Sequence, residues 1–127
     1  SGNQYDRNVV LEAAEAALRQ GEAIAAAPLT IPATCTNGVC PKPVAGMADR
    51  WTDSGFTGWQ AATSTRPALV TSQFIIEDMG PQPADGTCHL QIPVEPTCLV
   101  PLYRVTAQAR ATNSRGTIVT LQSNIRQ

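Results

Sequence analysis

Lysine, histidine and clustered positive charge are all scarce in this chain. Nine of its 127 residues are lysine or arginine, ten are aspartate or glutamate, and the net charge is −1. Lys42 is the sole lysine, and the arginines are scattered along the sequence. Because nucleic acids and anionic membrane surfaces bind to several cations gathered on one face, we expect neither as a principal partner.

Sequence motifs of catalysis are missing as well. His89 is the only histidine, and the sequence contains no GxSxG, HExxH, P-loop or GxGxxG pattern. Glu77 and Asp78 form an acidic pair, but they fall at the end of a predicted strand. We interpret them as a solvent-exposed terminus and not as a general acid and base. We therefore expect no enzymatic activity and no cofactor.

Aromatic residues and long apolar runs are few. Aromatics make up 5% of the chain while alanine is abundant, which predicts a thin core. No stretch is long and apolar enough to cross a bilayer, and no signal peptide is present. Ser1 and Gly2 are typical of a cloning remnant. We expect residues 3–127 to form a single domain from which a native targeting or membrane segment was removed.

Four cysteines indicate an oxidising compartment, periplasmic or extracellular. Cys35, Cys40, Cys88 and Cys98 are an even set, for which three disulfide connectivities are formally open. We expect the local pairs Cys35–Cys40 and Cys88–Cys98, since each pair brackets one turn-rich loop.

Metal sites are the weaker interpretation of the same residues. A zinc site would use the four cysteines and His89, yet the sequence has no paired CxxC. A calcium site would use Asp49, Asp53 and Asp85, which lack the clustered oxygen ligands of a calcium loop. We therefore expect disulfides and no metal.

The first part of the chain is predicted to be one amphipathic helix from Asp6 to about Ala27. This segment has no proline, consists mainly of strong helix formers, and is followed by Pro28. Its apolar arc is mostly alanine, so whatever packs there must approach the backbone closely. On the opposite side, Glu15 and Arg19 form a favourable i,i+4 pair.

The predicted helix has more apolar surface than one core needs. Val9 and Ala16 extend the apolar arc toward a second flank, whereas Glu12 lies on the charged side. We expect the flank with Val9 and Ala16 to face partner helices, with charges such as Glu12 setting the register between subunits.

Residues 28–67 are predicted to be a long irregular loop. Several prolines and the Asn37-Gly38 turn inside the first disulfide interrupt any periodicity. Trp51 and Trp59 lie in this loop, so we expect it to be ordered and laid over the core. The tryptophan segment and the loop of the second disulfide form a second expected surface for partner subunits.

Residues 68–127 are predicted to form a three- or four-stranded antiparallel sheet. The expected strands are Ala68 to Met79, Leu102 to Ala111, Thr117 to Asn124 and a short one near Leu90 to Val94. Arg104 and Arg110 alternate with apolar residues, and we place them on the solvent side of the sheet. With the helix laid across one face, the predicted fold class is α+β.

Three segments together resemble minor type IV pilins of the PilX kind. DRNVVLEAAEAALRQGE (Asp6 to Glu22) is similar to the junction at which the membrane helix of these pilins continues into its periplasmic half. FIIEDMG (Phe74 to Gly80) and LYRVTAQARATNSRGTIVTLQSN (Leu102 to Asn124) follow in the family's order. The CTNGVC clamp is also similar, and the matches cover about half of the chain.

The resemblance implies a pilin-like fold, a long N-terminal helix packed on an antiparallel sheet with disulfide-clamped loops. It implies a subunit that is anchored in the inner membrane with a periplasmic domain and then joins the surface pilus. The implied partners are other minor pilins, the major pilin and a large tip adhesin. The implied role is priming of pilus assembly for twitching motility or adhesion. Adhesion that depends on a disulfide near the C-terminus is not implied, because both cysteine pairs precede the last two strands.

Two other functions stay open at this point. A pseudopilin of a type II secretion system has the same plan of helix and sheet, and calcium-dependent melting would favour it. A secreted, disulfide-stabilised binding module would have no pilus role, and a prepilin-type leader in the native gene would exclude it.

Overall fold

One long helix packs on one face of a sheet. The structure is a computed structural model that describes residues 2–63, 67–83, 90, 92, 98–112 and 117–127, and of residues 2–6 the backbone. Its elements are α1 (Gly2–Ala26), β1 (Val39–Cys40), β2 (Gln60–Ala61), β3 (Val70–Pro83), β4 (Leu99–Ala111) and β5 (Ile118–Arg126). A 3₁₀ turn, Arg50–Thr52, lies between β1 and β2. The predicted α+β class is confirmed, while the strand expected near 90–94 lies mostly outside the described residues.

Helix α1 is longer at its N-terminal end than predicted. It begins at Gly2 instead of Asp6, and it ends at Ala26, two residues before Pro28. The buried residues of its sheet-facing side are Val9, Val10, Ala14, Ala17, Gly21 and Ala25. On the other side, Arg19 Nη2 lies 3.8 Å from Glu15 Oε2, as the i,i+4 spacing predicts.

The sheet is mixed, and this corrects the prediction of an antiparallel sheet. Its strand order is β1-β3-β4-β5, with β2 also paired to β3. The β2–β3, β3–β4 and β4–β5 pairs are antiparallel, whereas β1 runs parallel to β3 with Val39 opposite Ile76. Since β1 has only two residues, it leaves no period-two pattern from which its presence or direction was predictable.

Strand β3 continues beyond its predicted end because the Gly80-Pro81 step is a bulge. The register with β4 shifts between Asp78 and Pro81, which places one extra residue on β3. Gly80 has a φ of +85°, and its N–H donates a hydrogen bond to Asp78 Oδ1 at 3.0 Å. Glycine adopts this left-handed conformation without the strain of a Cβ, so the pairing resumes after it.

The core lies between α1 and the sheet in two clusters. One consists of Ala17, Ala25, Phe74, Ile76, Tyr103, Val105 and Ala107, and the other of Val9, Val10, Ala14, Val70, Ala109 and Ala111. Helix and sheet approach closely at Gly21, where an added Cβ would lie 2.5 Å from Val105 Cγ1 and 3.2 Å from the Phe74 ring. The small residues on α1 therefore permit the close approach that its alanine-rich arc predicted.

A tight turn places β1 against β3. Inside the Cys35–Cys40 disulfide, Asn37 and Gly38 have φ values of +51° and +82°. Thr36 and Val39 exchange both backbone hydrogen bonds at 2.9 Å, which is the pattern of a two-residue hairpin turn. Gly38 O accepts a 2.7 Å hydrogen bond from the Ile76 N–H. Because β1 and β2 both pair with β3, they cover the edge of the sheet that β4 does not.

Two glutamine side chains attach α1 to the rest of the domain. Gln20 Nε2 donates to Thr63 O, and the Thr63 N–H donates to Gln20 Oε1, both at 3.0 Å. At the other end of the chain, Gln127 Nε2 donates to Ala25 O at 2.8 Å and also to Ala27 O. The Gln127 contacts satisfy backbone carbonyls at the C-terminal end of the helix, where intrahelical donors run out.

Candidate functional site

The face of the sheet turned away from α1, here called the outer face, is polar. Strand alternation and register place three cross-strand pairs of β3 and β4 on it: Gln73 with Gln108, Ile75 with Thr106, and Glu77 with Arg104. Ile75, Glu77 and Thr106 are each 0% exposed. The outer face is therefore covered over these positions, and the cover comes from the loop between β1 and β2.

Glu77 joins this loop to the sheet through two arginines. Arg50 Nη1 lies 2.6 Å from Glu77 Oε2, and Arg104 Nε and Nη2 lie 3.1 and 2.9 Å from Oε1. The Glu77 side chain is 1% exposed, and the two arginine side chains are 19% and 20% exposed. Each carboxylate oxygen thus accepts a hydrogen bond from a guanidinium, and these bonds compensate for the hydration that Glu77 loses on burial. Arg50 belongs to the loop, so the ion pair fixes the loop on the outer face.

Trp51, in the loop between β1 and β2, also contacts Arg104 on the sheet. The Arg104 guanidinium carbon lies 4.5 Å from the centroid of the Trp51 ring, within the range of a cation–π interaction. Arg104 therefore bonds to the buried carboxylate and to the aromatic ring at the same time. An arginine can contact a ring and offer a fork of donors to a carboxylate together, which lysine does not do.

Two expectations from the sequence are corrected by this cluster. Glu77 is not at a solvent-exposed strand terminus, because β3 continues to Pro83 and the loop covers Glu77. Arg104 is not on an open solvent side either, whereas Arg110 is exposed as expected. The available signal was the position of Glu77 directly after the apolar run of β3, since a charge there needs a partner if the strand is buried on both faces.

A groove of about 560 Å³ opens between the loop and the outer face. Its loop side includes Trp51, Phe56 and Trp59, and its sheet side includes Gln73 and Gln108. The Phe56 and Trp59 rings meet edge to face, with centroids 5.8 Å apart and planes at 68°. The structure thus brings the two tryptophans that the sequence singled out to one concave surface.

A row of side-chain hydrogen bonds crosses the sheet side of the groove. Gln73 Nε2 donates to Gln108 Oε1 at 3.2 Å, and Gln108 Nε2 donates to Thr120 Oγ1 at 3.2 Å. Consecutive strands β3, β4 and β5 each contribute one member. The amides are therefore oriented by their neighbours and do not rotate freely.

The expected partner flank of α1 is only partly available. Val9 is 6% exposed and packs in the second core cluster with Val70 and Ala111, so it contributes almost no surface to that flank. The helical wheel placed Val9 at the margin of the apolar arc, and the width of the sheet extends burial to it. Glu12 is exposed and Ala16 is half-buried.

The expected disulfides are resolved to different extents. Cys35 and Cys40 are bonded to each other, so neither thiolate is available as a zinc ligand. Cys98 is disulfide-bonded, while Cys88, His89 and Asp85 lie outside the described residues. Within the described part of the chain, no group of three or more His, Cys, Asp or Glu residues is placed to hold a metal ion.

The chain is therefore an α+β domain. A helix lies on one face of its mixed sheet, and the loop between β1 and β2 lies on the other. No protein-family model, curated protein or solved structure matches this chain. Over the described residues, no helix combines the length and apolarity needed to cross a membrane.

Proposed function

We propose that this chain is a structural subunit of a type IV pilus, a minor pilin that takes part in priming pilus assembly and in pilus-dependent motility or adhesion. The observation that carries the proposal is α1 itself. It is one unbroken helix of 25 residues, about 37 Å long, and only one side of it is used by the domain's own core. A subunit of a helical filament needs such a second side for its neighbours.

The outward side of α1 is the proposed contact with other subunits. Glu12, Arg19 and Ala23 are exposed and Ala16 is half-buried, and these residues recur at spacings of three or four. Small side chains let a second helix approach, and charges of both signs set its register. Val9 leaves this surface because it is buried, whereas Trp51 and Trp59 stay in the proposal as the second contact surface.

The proposal includes a location and a set of partners. The domain is periplasmic and disulfide-bonded, and an apolar helix continuous with α1 anchors it in the inner membrane before it enters the surface pilus. Its partners are the other minor pilins, the major pilin and a large tip adhesin. Support for the location comes from the Cys35–Cys40 disulfide, since disulfides are typical of proteins outside the cytoplasm.

The test is a charge placed on the outward side of α1. Ala16→Glu together with Ala23→Glu should abolish surface piliation, because two buried like charges would separate adjacent helices. Ala33→Glu, at an exposed position in the loop after α1, is the matched control and should leave pili intact. Circular dichroism of each purified chain establishes that folding is unchanged. Normal piliation by the folded double variant would refute the proposal.

A pseudopilin of a type II secretion system is the second candidate, since the same helix and sheet serve it equally. The two functions separate in the cell, because a pseudopilin variant loses protein secretion while surface pili persist. Calcium provides a further distinction. A rise in melting temperature on adding calcium, reversed by a chelator, would favour the pseudopilin.

A further inference from the structure

The groove on the outer face combines aromatic rings with uncharged hydrogen-bonding side chains. Trp51, Phe56 and Trp59 line it from the loop, and Gln73 and Gln108 line it from the sheet. Its volume of about 560 Å³ is that of a small-molecule site, for which roughly 300–1,000 Å³ is usual. The groove therefore has the size and the mixed lining of a ligand site.

Charge in the groove is balanced. Among the described residues that line it, Asp53 and Arg110 are the charged ones, and their charges are opposite. A site that selects an anion or a cation gathers charge of one sign along its walls. The lining therefore favours a neutral ligand that forms many hydrogen bonds.

Both sides of the groove are held in place without a ligand. Trp59 packs edge to face on Phe56, and Trp51 is stacked against the Arg104 guanidinium. The Gln73 and Gln108 amides are oriented by their mutual hydrogen bond. Side chains that are already fixed lose less conformational entropy when a ligand binds.

The amides keep unused hydrogen-bonding capacity. Gln73 Oε1 accepts no hydrogen bond from the described part of the chain, and each amide nitrogen has a second N–H beyond the one in the row. Acceptors and donors therefore alternate next to the aromatic side of the groove. A ligand hydroxyl group both donates and accepts, so it matches this pattern.

We propose that the groove binds a neutral oligosaccharide, with a pyranose ring stacked on Trp59 and its hydroxyl groups hydrogen-bonded to Gln73 and Gln108. A pyranose has faces of C–H groups that pack on an aromatic ring and a rim of hydroxyls that reach the amides. This inference makes no use of α1. It replaces a partner subunit by a saccharide as the occupant of the surface with Trp51 and Trp59, so the pilus proposal then rests on the outward side of α1 alone.

Isothermal titration of the whole chain with neutral disaccharides is the direct test. Maltose, cellobiose, lactose and N,N′-diacetylchitobiose are the probes, and a galacturonic acid dimer is the charged comparison. At least one neutral sugar should bind with millimolar affinity, and the acidic dimer should bind more weakly than that sugar. Absence of binding by all four neutral sugars at tens of millimolar would overturn the proposal, as would a preference for the acidic dimer.

Variants locate the binding. Trp59→Ala and Gln108→Ala should each weaken sugar binding by about tenfold, the effect of losing one well-placed contact. Gln122→Ala is the matched control, because Gln122 is exposed on β5 and is not among the groove residues. If Trp59→Ala does not fold, Gln108→Ala alone decides, and equal affinities for the Gln108 and Gln122 variants would contradict the assignment.

A second copy of the chain is the competing occupant. Sedimentation over a range of concentrations measures self-association with and without sugar. We expect no self-association that depends on Trp59. Self-association that is lost in Trp59→Ala and is unaffected by sugar would make the groove a subunit contact and overturn the saccharide assignment.

Discussion

Glu77 is the residue on which the attachment of the loop between β1 and β2 to the outer face depends. Its carboxylate is buried and receives three hydrogen bonds from Arg50 and Arg104. A buried charge that loses its partner is strongly unfavourable, and here two guanidiniums would share the loss. Without Glu77, the two arginines near Trp51 would have no carboxylate to balance their positive charge.

Glu77→Gln should therefore destabilise the domain. We expect a loss of about 2–4 kcal/mol in the free energy of unfolding, below the value for a fully buried pair because both arginines keep some contact with water. Denaturant unfolding measures it. Glu12→Gln, the same change at an exposed helix position, should stay within about 0.5 kcal/mol of the wild type. Equal midpoints for the two variants would show that the arginines do not need the carboxylate.

Tyr103 is expected to lower the free energy of unfolding as the pH rises into the alkaline range. Burial, with a smaller contribution from the negative charge of Asp78, raises the pKa of its phenol above the usual value of about 10. A raised pKa in the folded state stabilises the fold below the unfolded pKa, and this contribution is lost as the pH rises through the folded pKa. The sensitive window therefore begins near pH 10 and extends upward.

Tyr103→Phe is expected to remove this dependence while keeping the ring in the core. From about pH 10 upward the wild type should lose more unfolding free energy than the variant, and below that window the difference between them should be constant. Thermal melts across the pH series provide the measurement. Parallel decline of both proteins through the alkaline range would assign the pH effect to other groups.

At the scale of elements, the contact of α1 with the sheet is set by the absence of a side chain at Gly21. Glycine is a poor helix former, and replacing it with alanine in an exposed helix stabilises it by about 1 kcal/mol. At this position the added Cβ would lie 2.5 Å from Val105 Cγ1. The packing term therefore opposes the propensity term.

Gly21→Ala should destabilise the domain by up to about 2 kcal/mol, because an overpacking cost of about 1–3 kcal/mol outweighs a gain of about 1 kcal/mol in helix propensity. The midpoint of denaturant unfolding reports it. Ala23→Gly, at an exposed helix position, measures the propensity term alone and should lower stability by about 1 kcal/mol. A more stable Gly21→Ala protein would mean that α1 moves away from β4 at little cost.

The elements also show where sequence reasoning succeeds and where it stops. The helix, β3, β4 and β5 were predictable because each is long enough to display its periodicity. β1 and β2 were not, since two-residue strands are created by their neighbours, here the Asn37-Gly38 turn and the free edge of β3. The Glu77 cluster was hidden for a related reason. Arg50 and Arg104 are each 27 residues away from Glu77 in the sequence. The register of β3 with β4 brings Arg104 to Glu77, and the loop between β1 and β2 folds back over the sheet to bring Arg50 there.

At the scale of the whole molecule, the sheet is the middle of three layers. α1 covers one face, and the loop with Trp51 and Trp59 covers the other. Helix removal would expose the apolar side of β3 and β4, and loop removal would expose Ile75 together with the Glu77 charge. Detaching either layer would therefore expose buried residues of the sheet. We expect the helix and the loop to unfold together for this reason.

The coupling predicts that the domain unfolds as one unit. Far-ultraviolet circular dichroism reports α1, while tryptophan fluorescence reports the loop layer, because Trp51 and Trp59 are the chain's two tryptophans. The two denaturation curves should coincide. Trp59→Phe assigns the fluorescence to Trp51, which contacts Arg104 directly, and its curves should still coincide. A fluorescence transition at lower denaturant than the helix transition would show that the loop is an independent flap and that the groove beneath it is not preformed.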